Sequence, residues 1–210
     1  MDTTNNNTNE NFQTNHPTHD ITEACVVLLK WDAIQLSKDR NFDIVTTTTE
    51  WLKSYDLKVL AVHAIFRLTG EQIDTIYVNI KDKPFYQSMR LSLENSPAVA
   101  MLIGGSDDVH GRMKMLKGNA DTEGTIRWHW SFKRELEKTH EFDDWVNHRG
   151  KFADEKVWND IQAQIYRDDR IHSSDSTEDT RNNCKALFPV EMLQDVLKKY
   201  PALANTIGHY

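Results

Sequence analysis

The hydrophobic positions of this chain change period several times, and each change marks an element. ACVVLLK, residues 24–30, is a short apolar run rich in β-branched side chains, and it predicts a buried strand that delivers Lys30 at its end. In NFDIVTTTTEWLKSYD, residues 41–56, the apolar side chains recur at roughly helical spacing, although four threonines weaken helix propensity. LKVLAVHAIFRL, residues 57–68, alternates as a strand does. TGEQIDTIYVNI, residues 69–80, predicts a helix capped by Thr69, with Gln72 three residues on to complete a capping box. KPFYQSMRLSLEN, residues 83–95, sets Pro84 in a first helical turn and Phe85, Met89 and Leu93 on one face. PAVAMLIGG reads as another strand and DDVHGRMKML as a short helix, followed by KGNADTEGTIR as a turn-rich loop.

Residues 128–167 are aromatic and charged, and their pattern predicts two helices broken near Gly150. DDRIHSSDS, residues 168–176, puts His172 at the lip of a helix start, with Ser174, Asp175 and Ser176 as stacked cap candidates and Cys184, Leu187 and Phe188 as buried positions beyond. Strands and helices alternating in this order predict an α+β sandwich, with helices packed on an antiparallel sheet.

Composition narrows what such a domain does. The 210 residues are 39% hydrophobic, with six Trp and eight Phe, enough to build one well-buried core. Residues 1–22 hold six Asn, six Thr, three acidic residues and no Lys or Arg, too little apolar surface to offset ordering entropy, and are expected to be a disordered tail ahead of a domain over 23–210. A formal charge of −7 argues against general nucleic-acid binding, so an anionic ligand must meet a local basic site. Cys25 and Cys184 occupy no metal or disulfide spacing, and no protein-ligated metal site is expected from them. No run of about 18 apolar residues suggests a membrane span, and no secretory leader is visible; a reduced, cytoplasmic setting is expected.

LLKWDAIQ (28–35), YVNIKDKPFY (77–86), SPAVAML (96–102), GTIR (124–127) and RIHSSDS (170–176) followed by ALFP (186–189) occur in one order and spacing. In that set the chain resembles the nucleoside diphosphate kinases, over about residues 24 to 193. The resemblance implies a ferredoxin-like αβ sandwich with a four-stranded antiparallel sheet, residues 128–167 being a helical insertion. It also implies a ping-pong transfer of the γ-phosphoryl of ATP or another nucleoside triphosphate to a nucleoside diphosphate, through phosphohistidine.

Carried over residue by residue, the resemblance makes His172 the nucleophile and Lys30 a contact to the nucleotide's ribose and phosphates. Arg127 and Arg112 correspond to the two phosphate-binding arginines, Arg112 being displaced by one position. Tyr77 is a neighbour of the histidine, Phe85 the aromatic that stacks on the base, and Ser174 a hydrogen-bonding partner in the site. Asp169 stands where the family's asparagine holds the sugar hydroxyl, and Thr122 is the nearest counterpart of a phosphate-contacting threonine. Mg²⁺ bridging the nucleotide phosphates and a homo-oligomeric assembly are implied as well. The chemistry fits the residue types: a neutral imidazole is available near neutral pH, and a guanidinium fork holds two phosphate oxygens.

Other positions depart from the pattern. Trp31 replaces a proline, Leu36 an arginine, Ser173 a glycine and Asn183 a glutamate, and His172 follows Arg127 by 45 positions, roughly thirty more than the family needs. Those departures sustain a second expectation, a nucleotide-binding regulatory or assembly protein that transfers slowly or not at all.

Overall fold

A computed structural model describes residues 20–119, 121–131 and 170–210. Residues 1–19 of the expected 1–22 tail, most of the insertion and Asp169 therefore lie outside the described residues.

Four strands form the sheet: β1 (Glu23–Leu29), β2 (Lys58–Ile65), β3 (Ala98–Gly105) and β4 (Ile171–Ser173), in the order β2-β3-β1-β4. All pairings are antiparallel. Alternation along β1 divides the core in two, because successive side chains point to opposite faces. Cys25, Val27 and Leu29 pack beneath α1 (Trp31–Asp39), α2 (Ile44–Lys53) and α5 (Val109–Lys117). Ala24, Val26 and Leu28 face α3 (Gly70–Ile76), α4 (Tyr86–Leu93), α7 (Thr177–Leu187), α8 (Val190–Lys199) and α9 (Ala204–Ile207). A single turn, α6 (Ile126–His129), follows the loop after α5. The expected α+β sandwich is the observed architecture.

Several elements differ from the sequence pattern. His172 does not open a helix: it is the middle residue of β4, paired with Leu28. Three residues are too short for alternation to register, and only the neighbouring strand makes them one. The helix starts at Thr177, with Ser176 as the cap that accepts from the Asp179 amide. Ser174 instead continues the sheet, its amide donating to the Val26 carbonyl at 2.9 Å. Helix α1, unsignalled by pattern, begins directly after Lys30. Pro84 lies before α4 rather than in its first turn, and Phe85 is the residue at that helix's N-cap. The capping box at Thr69 and Gln72 forms as expected, but α3 ends at Ile76 and a 3₁₀ turn follows over Val78–Ile80. Thr22, assigned to the tail, already donates its amide to the Gly105 carbonyl at 3.0 Å and so extends the β1–β3 ladder.

Candidate active site around His172

The site is assembled where β1 ends and β4 runs beside it. Lys30 leaves β1 with extended backbone; its amide donates to the Arg170 carbonyl at 3.0 Å and its own carbonyl receives the first amides of α1. The side chain is buried, and Nζ lies 5.8 Å from the centre of the Tyr77 ring, within cation–π range. Tyr77, the last residue of the α3 turn and also buried, packs its ring 4.8 Å from the His172 imidazole at an interplanar angle of 59°. The strand pairing and the capped α3 thus bring Lys30, Tyr77 and His172 together.

Behind the imidazole lies a buried polar chain. Ser174 Oγ accepts the Val26 amide at 3.2 Å and contacts Asn183 Nδ2 at 3.0 Å; the same Nδ2 is 3.4 Å from His172 Nε2. Asn183 is 1% exposed and its Oδ1 is buried without a hydrogen-bond partner. Rotating the amide by 180° would exchange the two ends. Oδ1 would then accept from Nε2–H and from the Ser174 hydroxyl, both of which are able to donate.

Arg127, on α6, reaches the same strand. Its Nη1 donates to the Gly118 carbonyl at 3.2 Å and Nη2 to the Ile171 carbonyl at 3.4 Å. Thr125 caps α6, and its side chain crowds Gly118, where a Cβ would sit 2.2 Å from Thr125 Cγ2; with φ at +57°, position 118 requires glycine. Thr122 belongs to this loop, hydrogen-bonding Asn119 Oδ1 at 2.9 Å while its carbonyl accepts the Thr125 hydroxyl at 2.7 Å. Its visible role is to hold the turn ahead of Arg127. Phe85 is 48% exposed at the start of α4, while Tyr86 beside it is buried, so Phe85 is an outward aromatic face rather than core.

Arg112 does not join this cluster. Its guanidinium donates to the carbonyls of Tyr55 and Asp56, at 3.1 and 3.4 Å, and to both the carbonyl and carboxylate of Asp107. Those groups surround the start of β2 and the end of β3, and β2 is the edge opposite β4. The one-position displacement supplies the reason, since one residue along a helix turns a side chain by about 100°. The inward place belongs to Met113, which is fully buried.

Three participants escaped sequence reasoning as contacts. Asn183 was visible only as a replaced glutamate. Lys117, on the last turn of α5, is buried with Nζ 2.7 Å from Ser173 Oγ and 3.5 Å from Asp175 Oδ1; a lysine four residues after a buried Met113 shares its helix face, and that was the available signal. Arg170 is buried and donates to the Trp130 carbonyl. Asp32, on the first turn of α1, has its carboxyl pushed up by burial, against the opposing pull of Lys30 and Arg170. Trp130 is buried against Phe42 and Trp51, and Trp51 stacks on His129 at 5.3 Å, so these aromatics pin α6 to α2.

Cys25 and Cys184 are buried free thiols, and burial pushes Cys25 up to about 12, which removes it as a nucleophile. Among the described residues no group of three or more His, Cys, Asp or Glu side chains could hold a metal ion, and no helix is long and apolar enough to cross a membrane.

A four-stranded ferredoxin-like sandwich with a histidine on its short edge strand, packed among a lysine, a tyrosine and an arginine, defines a class of proteins. The family model for nucleoside diphosphate kinase matches residues 23–193. A nucleoside diphosphate kinase of Picrophilus torridus is 30% identical over 127 residues, which cover 58% of this chain and 85% of that one. The chain belongs to the nucleoside diphosphate kinase family.

Solved structures share the fold at lower identity. A nucleoside diphosphate kinase family protein from Babesia bovis superposes with a TM-score of 0.56 at 18% identity, covering 81% of this chain and 90% of its own. The Halobacterium salinarum nucleoside diphosphate kinase in complex with CDP gives 0.53 at 19%, with 81% and 90% covered. A transition-state mimic of the Borrelia burgdorferi enzyme with bound vanadate and ADP gives 0.57 at 16%, with 81% and 89% covered.

Proposed function

We propose that this chain is a nucleoside diphosphate kinase in which His172 carries the phosphoryl group. The observation that carries the reading is the setting of its imidazole: Tyr77 on one side, Asn183 against Nε2, and Lys30 and Arg127 reaching the same strands. Nε2 faces Asn183, and the reading assigns the phosphoryl bond to Nδ1. Its lone pair forms the bond to the γ-phosphorus of ATP as the bond to the bridging oxygen breaks, and the electron pair departs with the nucleoside diphosphate. A second nucleoside diphosphate reverses the step: a β-phosphate oxygen attacks phosphorus and the P–N electron pair returns to the ring. Two easier transfers replace one hard one.

Nucleophilic Nδ1 requires the proton on Nε2, and the rotated Asn183 amide supplies the acceptor for it. Lys30 and Arg127 neutralise the charge that spreads over the transferring group, which is most of what this chemistry asks of a protein. Mg²⁺ would arrive on the phosphates and shield them, an arrangement that suits a site with few protein carboxylates. Phe85, half exposed at the start of α4, suits a base-stacking role tolerant of base identity. Asp169 remains the proposed sugar contact, and Thr122 acts through the loop before Arg127. Two free thiols support a reducing cytoplasmic setting, and a homo-oligomer is the expected assembly.

The commitment of Arg112 elsewhere favours a second reading, a nucleotide-binding protein that transfers weakly. One experiment separates them. The protein is incubated with γ-labelled ATP and Mg²⁺, the adduct is tested for acid lability and base stability, and it is then chased with a nucleoside diphosphate. A kinase acquires label and loses it to the chase, and H172A acquires none. Absence of label on the wild-type chain would select the binding protein.

A further inference from the structure

At Nε2 of His172 stands a neutral amide, and α7 leaves it little freedom to move aside. Thr180, one turn earlier on that helix, is fully buried and donates its hydroxyl to the Ser176 carbonyl at 2.9 Å, with the Ala24 carbonyl of β1 at 3.3 Å. This contact ties the helix to the strand that pairs with β4. Asn183 follows on the same face, 1% exposed, with Nδ2 3.0 Å from Ser174 Oγ and 3.4 Å from the imidazole. Tyr77 packs on the ring at 4.8 Å. The amide is thus a fixed, buried and uncharged neighbour of the nitrogen opposite the one that carries the phosphoryl group.

We propose that Asn183 is a positioning residue that keeps phosphorylated His172 cationic, a strong phosphoryl donor that is loaded only while nucleoside triphosphate exceeds diphosphate. The inference rests on the phosphoryl-transfer function proposed above. Before transfer the ring is neutral, its proton on Nε2 and shared with Asn183 Oδ1. When Nδ1 bonds to the γ-phosphorus, the electron pair of the broken P–O bond leaves with the diphosphate and the ring takes up a positive charge. An amide oxygen accepts a hydrogen bond from Nε2–H but is too weak a base to remove the proton. The charge therefore stays on the ring, and a cationic nitrogen leaves more readily when a diphosphate oxygen attacks phosphorus. A carboxylate in this place would offset the charge through a stronger, charge-assisted hydrogen bond and hold the phosphoryl group more firmly. The neutral amide leaves the loaded ring higher in free energy, so its occupancy follows the ratio of triphosphate to diphosphate.

The test measures the labelled fraction of the full chain at equilibrium with γ-labelled ATP, Mg²⁺ and ADP at set ratios, after an alkaline quench that preserves phosphohistidine. The wild type should be half loaded only with ATP in clear excess over ADP, and N183D at a ratio about tenfold lower. In single turnovers the difference should appear as slower return of the phosphoryl group to ADP. A variant that merely disturbs packing slows both directions alike and leaves the ratio where it was. Melting curves are the folding control, and N183E takes the place of N183D if the latter does not melt cooperatively. The inference is overturned if the carboxylate variant loads at the wild-type ratio or needs a higher one, or if the wild type is mostly loaded at equal ATP and ADP. That last measurement needs no variant and decides alone should neither carboxylate chain fold. A wild-type chain that takes no label even with ADP enzymatically removed fails the phosphoryl-transfer reading itself, and this inference falls with it.

Discussion

At residue scale the most consequential atom is Asn183 Oδ1, buried and without a partner while its own Nδ2 stands 3.4 Å from His172 Nε2. Which end of the amide faces the ring fixes the tautomer: with Oδ1 toward Nε2 the ring carries its proton there, and the choice is read from the hydrogen-bond partners. Nitrogen-15 spectra of histidine-labelled protein should show His172 as the neutral Nε2–H tautomer, and N183A should give a mixture of both. An Nδ1–H ring in the wild type would contradict the orientation argued for the nucleophile. A carboxylate in the same place stabilises the protonated ring, so N183D should raise the pH at which His172 titrates, read from the same spectra.

At the scale of elements, the α3–α4 hairpin carries both Tyr77 and Phe85, and a polar lock closes it. Tyr86, Arg90 and Asp74 meet across the hairpin, Arg90 Nε donating to Asp74 at 2.9 Å and Nη1 to Glu94 at 2.9 Å, while the Tyr86 hydroxyl donates to Asp74. The Tyr86 hydrogen bond, followed by Arg90, holds the Asp74 carboxyl below its ordinary 3.8. A depressed carboxyl contributes stability that is present above its unfolded value and lost as pH falls through the folded value. The stability gap between wild type and D74N should therefore be full at neutral pH, begin to close near 3.8 and vanish below it, as measured by urea denaturation across that range. Independently, T69A removes one half of the capping box and should cost about 1 kcal/mol in the same assay.

For the whole molecule, the question is what 132–169 does to a fold that is otherwise closed. Arg170 donates to the Trp130 carbonyl, so the two ends of that segment lie within one arginine side chain's reach. Ends that already meet make loop length cheap, since closure entropy grows only slowly with chain length. Replacing residues 133–167 by a flexible linker of about eight residues should leave cooperative thermal unfolding intact. A shortened chain that no longer melts cooperatively would mean the segment supplies part of the core. Against the net charge of −7, the described residues gather Lys30, Lys117, Arg127 and Arg170 around β1 and β4, with Asp32 and Asp175 beside them.

Much of this was written in local pattern. Three strands, the capped α3, α5 and the cap cluster before α7 announce themselves because period, caps and turn residues are properties of neighbours in the chain. The motif set around Lys30, Tyr77, Arg127 and His172 likewise identified the family and its fold. What local pattern could not determine is anything decided by a partner distant in sequence. Strand β4 exists because Leu28 lies opposite His172; Ser174 is a sheet residue rather than a cap because Val26 meets it; and α8 and α9 find their place only against the finished core. The fates of two of the α5 cations show the same division. Arg112 and Lys117 are equally basic letters five positions apart, and only the packing of α5 across the sheet sends one toward β2 and the other to the strand that bears His172.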